Sequence, residues 1–247
     1  MPPLIEFKQV GFSIGDRKII DHLNLSVDAH EFVVILGGNG SGKSTLIKLI
    51  NQTYRHTNGD IFFKQKPIEQ YTSAEIRSCA VTLTQFISES IFLDLTILEN
   101  AILIESTYLQ VTRKPFFQKT FVAQLPEYLS RFNPKLGTLL KTRVKNLSGG
   151  EQQMLAFALY LRHQPDVLLL DEHTSALDPK KSDQVMEFTH DVVQKNKLTC
   201  LMTTHELNYA LQYGTRLIAI HDGKIIFDVK DAEKKSLSMT DLLKNCY

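Results

Sequence analysis

Two short stretches hold residues whose types and spacing can do chemistry. In LGGNGSGKST, Gly37 precedes the run Gly42-Lys43-Ser44 with four residues between, the G-x-x-x-x-G-K-[ST] pattern of a phosphate-binding loop. Gly37, Gly38, Gly40 and Gly42 let the backbone wrap closely and turn successive N–H groups inward. Asn39, Ser41 and Thr45 complete the loop. Lys43 places a point charge on β- and γ-phosphates, and Ser44 offers a hydroxyl to Mg²⁺. The second stretch, VLLLDEHTSALD, ends an apolar run on the adjacent acids Asp171 and Glu172. Two acids at the end of a buried run need a metal, a proton task or a basic partner. The phosphate loop supplies the reason: Asp171 belongs to the Mg²⁺ shell, and Glu172 is the candidate general base for an attacking water.

These residues need strands and helices to hold them. FVVIL (32–36) is a continuous apolar run that stops at the glycine loop, as expected of a strand covered on both faces. KSTLIKLINQ reads as a helix with Leu46, Ile47, Leu49 and Ile50 inward. The first 36 residues are β-rich, with GDRK as a turn, and NGDIFFKQKPI suggests a hairpin turning at Asn58-Gly59. From about 74 to 162 the pattern becomes mostly helical, with breaks at Pro134 and Gly137. It returns to α/β with VLLLDE, the amphipathic DPKKSDQVMEFTHDVVQKN and the buried strand LTCLMTTH; RLIAIHDGKIIFD follows as a hairpin turning at Asp222-Gly223, and SMTDLLKN as a short closing helix. The fold class expected is α/β, a P-loop NTPase core with a mostly parallel RecA-like sheet. One domain spans 1–247, with the core at about 1–73 and 163–247 and a helical part at about 74–162.

Composition narrows the partners. Lys+Arg 28 against Asp+Glu 27 gives a net charge of +1, which argues against a nucleic-acid-coating surface. Cys79, Cys200 and Cys246 have no metal-type spacing, so reduced thiols in a cytosolic setting are expected. The N-terminus lacks the pattern of a signal peptide. The most apolar stretch, 91–104, is interrupted by Asp94, Glu99 and Asn100, short of the roughly 20 residues of a membrane helix. Work at a membrane would require another chain to span it.

LSGGEQQ (147–153) precedes a further helix, so Ser148, Gly149 and Gly150 could grip a second phosphate. One phosphate loop per chain then implies a second subunit. In order, Gly37–Thr45, Gln85 in TLTQF, LTILENA (95–101), Leu147–Gln153, Asp171-Glu172, Ser175–Asp178 and His205 resemble the ATP-binding subunits of ABC (ATP-binding cassette) transporters. The resemblance covers nearly the whole chain. It implies an N-terminal antiparallel β subdomain and a helical signature subdomain. It implies ATP and Mg²⁺ as cofactors, with Gln85 reaching the Mg²⁺ and sensing a membrane permease, and His205 contacting the γ-phosphate. It also implies a head-to-tail homodimer in which Ser148, Gly149, Gly150 and Asp178 meet the partner's ATP, peripheral to the cytoplasmic face of the cell membrane. Phe86, Ile91, Phe92 and Leu93 would line a groove for a short permease helix.

Two positions depart from the family pattern. The usual adenine-stacking aromatic falls on Ile14, with Phe12 as the substitute two residues earlier. Proline usually follows the acids, where His173 stands. A packing or turn role is expected for it, leaving His205 as the catalytic histidine. DEHTSALDPK and YGTRLIAIHDGKIIFD resemble a narrower bacterial group for uptake of amino acids, tryptophan/tyrosine-type, or related small solutes, which work with an extracytoplasmic solute-binding protein. Export, DNA maintenance, translation-associated work and ATP holding without turnover are the alternatives. The basic, aromatic VTRKPFFQKTF (111–121) is expected to be a solvated helix face or loop.

Overall fold

The computed structural model describes residues 2–112 and 118–246, so VTRKPFFQKTF lies partly outside the described residues. The chain opens with the hairpin β1 (Ile5–Ile14) and β2 (Arg17–Val27), then β3 (Phe32–Leu36), α1 (Lys43–Ile50), β4 (Asn58–Phe63), β5 (Lys66–Pro67), α2 (Ser73–Cys79) and β6 (Ala80–Thr84). The helices α3 (Ile97–Thr112), α4 (Gln118–Ser130), α5 (Pro134–Thr138) and α6 (Gly149–Leu161) follow. The chain continues with β7 (Val167–Asp171), α7 (Pro179–Asn196), β8 (Thr199–Thr204), α8 (Leu207–Gln212), β9 (Arg216–His221), β10 (Lys224–Lys230), α9 (Asp231–Lys235) and α10 (Met239–Cys246). A four-stranded antiparallel sheet has the order β2-β1-β4-β5. A six-stranded sheet has the order β10-β9-β3-β8-β7-β6, with β9, β3, β8 and β7 parallel.

The chain divides into two compact units. One comprises 1–82, 166–172 and 189–247; the other comprises 83–165 and 173–188. These boundaries differ from the expected division near 74 and 162. Ile76 of α2 and Ala80 of β6 are fully packed among Phe7, Phe63, Ile50 and Leu169, so burial ties α2 and the start of β6 to the first unit.

In that unit the parallel strands are apolar on both faces. Phe32–Leu36 and Val167–Leu170 are each at most 1% exposed, the signature of a covered parallel sheet. Leu46, Ile47, Leu49 and Ile50 of α1 are buried against alternate strand residues Val33, Ile35, Leu169 and Leu201. Each such side chain contributes roughly 1.5–3 kcal/mol on burial. Asn58-Gly59 is not a hairpin turn. It opens β4, where Gly59 (φ 79) passes so close to β1 that a Cβ would lie 2.3 Å from the Gln9 carbonyl oxygen. The adjacent register shift between Lys8 and Gly11 is a bulge. The chain reverses instead at Lys64-Gln65, both at positive φ, as a two-residue hairpin turn requires.

In the second unit, Tyr128, Phe132, Phe188, Phe157 and His173 form a continuous aromatic series with centroid spacings of 5.3, 6.1, 5.5 and 6.0 Å. His173 is 2% exposed, and its burial pushes the imidazole pKa down to about 3, so the ring packs as a neutral group. Asn100, read in the sequence only as an interruption, is fully buried. Its amide grips the backbone of Phe92 at both N–H (2.7 Å) and C=O (2.9 Å) and reaches the Thr96 carbonyl. Every polar atom of that buried amide is thereby satisfied, and the Phe92 ring is left 57% exposed. Phe86 is similarly exposed, whereas Ile91 is 1% exposed and belongs to the core. Gly137 lies buried inside α5 rather than breaking a helix, and Pro134 occupies the first turn behind its Asn133 cap.

Candidate functional site

The loop Gly37–Ser44 leaves the C-terminal end of β3 and opens directly into α1. Gly42 precedes the helix at φ 110, and a Cβ there would lie 2.8 Å from Ile20 Cδ1 and 3.0 Å from the Ile19 carbonyl oxygen, so this position requires glycine. No side chain caps α1 and no acid sits in its first turn, which leaves its N–H groups and positive dipole end for an anion. Two other helix starts behave differently. Thr72 and Glu75 close a capping box on α2, and Ser148 and Glu151 close one on α6. The Ser148 hydroxyl accepts from Glu151 N–H at 3.3 Å, while Ser148 N–H donates to the Glu151 carboxylate at 2.9 Å. Gly149 and Gly150 start the helix behind that box.

Lys43 is 4% exposed. Its ammonium donates to the carbonyls of Gly37 (2.8 Å) and Gly38 (3.1 Å) and lies 3.5 Å from Glu172 Oε1. His205 Nδ1 stands 3.3 Å from Glu172 Oε2. The carboxylate is therefore held between the loop lysine and the histidine that follows β8. Ser44 Oγ donates to Asp171 Oδ1 at 2.9 Å. Parallel pairing sets Asp171 level with Thr203, and Leu36 level with Thr204. Loop, acids and histidine thus gather at the carboxyl ends of β3, β7 and β8, where ligands sit in open α/β sheets.

Thr203 is a site residue that the motifs do not announce. It is 1% exposed. Its hydroxyl donates to Asp171 Oδ1 at 2.7 Å and accepts from Glu172 N–H at 3.1 Å, and its carbonyl takes the same N–H at 3.3 Å. Glu172 has φ 48, a left-handed conformation that costs a non-glycine residue of order 1 kcal/mol or more. The Thr203 contacts hold the two acids against that strain. The only sequence signal is a hydroxyl residue near the end of a buried strand, which needs the register with β7 to acquire meaning.

Phe12 is not available as an adenine platform. Its ring is 8% exposed and stacked on Tyr54 at 5.0 Å. Bulges on either side of Phe12 break the alternation that would have put it on the face of Ile14. Ile14 itself is 59% exposed at the end of the hairpin. Gln85 follows β6 in the second unit. Asp178 stands before α7 in that unit, accepting the Lys181 N–H at 3.1 Å and pairing with the Lys181 ammonium at 2.6 Å. The bond to Lys181 holds its carboxyl below the usual range.

Residues 20–175 match the ABC transporter family model. The tyrosine transport ATP-binding protein of Clostridioides difficile is 36% identical over 227 residues, 92% of this chain and 90% of that protein. The phosphonates import ATP-binding protein PhnC of Fusobacterium nucleatum is 32% identical over 240 residues, 94% of this chain and 95% of that protein. Among solved structures, the dimeric ATP-binding cassette MJ0796 in a post-hydrolysis state with ADP and Pi superimposes with a TM-score of 0.72 at 25% identity, covering 92% of this chain and 98% of that one. The chain belongs to the ABC transporter family, as one of its ATP-binding subunits, ATPases that power transport.

Proposed function

We propose that this chain drives a bacterial importer of a small solute, hydrolysing Mg²⁺-ATP as a head-to-tail pair with a second copy of itself beneath a membrane permease. The observation that carries the reading is the convergence of Lys43 and His205 on the Glu172 carboxylate beside the phosphate loop. Ser44 and Asp171 are suited to Mg²⁺: a hydroxyl and a carboxylate oxygen 2.9 Å apart form a hard donor set. No cluster of three metal-ligating side chains occurs among the described residues. A Mg²⁺ that takes one or two protein oxygens plus phosphate oxygens needs none. When bound, Mg²⁺ neutralises charge on the β- and γ-phosphates. Gln85 is proposed as a further ligand and as the link to the permease.

The chain's own residues then have separate tasks. The N–H groups that open α1 and the Lys43 ammonium hold the phosphates. Glu172 takes a proton from the attacking water as its oxygen bonds to the γ-phosphorus and the bond to ADP breaks. His205 orients the Glu172 carboxylate and reaches the γ-phosphate. Ser148, Gly149, Gly150 and Asp178 are assigned to the other copy's ATP. The dimeric MJ0796 cassette supports the pairing.

The relatives support import, with an amino acid of the tyrosine type first among solutes; an extracytoplasmic binding protein is proposed as its carrier. No helix among the described residues is long and apolar enough to cross a membrane. We assign the permease as a partner of this cassette, with the exposed rings of Phe86 and Phe92 as its landing surface. Single-turnover hydrolysis by Glu172→Gln tests the mechanism. The expected result is unchanged ATP binding and hydrolysis slower by about 10²–10⁴, the range for a general base. A variant as fast as the wild type removes Glu172 from the reaction.

A further inference from the structure

The end of the β1–β2 hairpin carries a cation that the phosphate-loop pattern does not include. Arg17 is the cross-strand partner of Ile14, across the turn at Gly15 (φ 57). It is exposed, yet it leans toward the phosphate loop: a Cβ built on Gly40 would lie 3.8 Å from Arg17 Nη2. The next residue, Lys18, is paired with Asp21 at 3.3 Å. Among the described residues no side-chain hydrogen bond or ion pair engages Arg17. Gly40 has φ 79 and lies within the glycine loop, a run of the kind whose N–H groups suit an anion.

From this placement we infer that Arg17 is a further nucleotide-binding residue, a second cation on the phosphate chain of the bound nucleotide. It reaches the loop from the hairpin, while Lys43 works from beneath it, tied to the carbonyls of Gly37 and Gly38. A guanidinium presents several donors in a fixed plane and bonds two phosphate oxygens at once. The adjacent Ile14 offers a base only apolar contact, without an aromatic face. In this chain, affinity therefore comes from the phosphates more than from the base, and Arg17 makes the site sensitive to charge and tolerant of base identity. The inference rests on nucleotide binding at the loop.

Equilibrium binding of ATP and of GTP to the wild type, Arg17→Ala and Arg17→Lys, at low and high salt, tests it. Arg17→Ala is expected to bind both nucleotides about tenfold more weakly, a change of roughly 1.4 kcal/mol, with the deficit shrinking as salt screens the charge. Arg17→Lys recovers part of the loss. Melting of each protein without nucleotide should be unchanged, because Arg17 is exposed. An Arg17→Ala variant with wild-type Kd values overturns the inference. So does a loss confined to ATP, which would place the guanidinium on the base. A wild type that binds neither nucleotide would instead overturn the nucleotide reading of the loop.

Discussion

Replacing Thr203 with valine tests whether one buried hydroxyl positions both acids. The two side chains have nearly the same shape, so Thr203→Val opens no cavity at a residue that is 1% exposed. What it removes is the 2.7 Å bond to Asp171 Oδ1 and the 3.1 Å acceptor for Glu172 N–H. A hydrogen bond to a charged group contributes about 1.5–3 kcal/mol, and Glu172 N–H keeps the Thr203 carbonyl at 3.3 Å. The net loss of stability is therefore about 2 kcal/mol, a fall of roughly 4–8 °C in Tm for a chain of this size. Asp171 retains Ser44 but loses its support from β8, and Glu172 is less firmly held at its strained φ. Misplacement on the order of 1 Å costs about 10²-fold in rate, so kcat at saturating ATP should drop at least about tenfold. Thr203→Ser separates the hydroxyl from the packing. It loses one methyl, about 0.8 kcal/mol, and should keep kcat near the wild-type value. Assays at 20 °C, well below the melting transitions, with ATP affinity measured alongside, keep unfolding out of the comparison. A Thr203→Val protein with full kcat, or a serine variant as slow as the valine one, refutes the positioning role.

Two further substitutions address the residues where the chain departs from its family. Ile14→Tyr places an aromatic face at the exposed hairpin end; it should tighten ATP more than GTP, by a factor of several, since stacking contributes about 0.5–1.5 kcal/mol. Equal Kd changes for both nucleotides would remove Ile14 from the base site. His173→Leu keeps an apolar group against Phe157 and should leave ATPase activity within a few-fold of the wild type, whereas His205→Ala should lose most of it. Equal losses in the two variants would mean that the buried imidazole acts in the chemistry.

The phosphate loop, the strand-end acids and the alternation of strands with helices were legible because each is coded locally. FVVIL, the glycines and α1 are contiguous, and their residue types state their surroundings. Register was not legible. Thr203 acquires its task only when β8 aligns with β7, and Arg17 only when the hairpin end meets the phosphate loop. Phe12 was misplaced because two bulges cancel the simple alternation of β1. Asn58-Gly59 has turn composition, yet the glycine serves a close approach between β4 and β1. Short helices such as α8 and α9 (6 and 5 residues) carry too few periods to be read.

The strand order has a consequence for how the site comes into being. The loop strand β3 and the acid strand β7 are not neighbours; β8 lies between them and comes after both in the chain. A growing polypeptide that has already made Lys43, Ser44, Asp171 and Glu172 therefore still lacks the strand that spaces them. Ser44 and Asp171, 127 residues apart in sequence, can take up their distance only after Thr199–Thr204 has threaded into the gap. Such long-range pairings form late in folding. ATP is thus a poor aid to the nascent N-terminal half and a good stabiliser of the finished sheet, because a ligand stabilises only the state that binds it. Truncations ending before β8 should retain the whole phosphate-loop sequence without the arrangement that makes it a site.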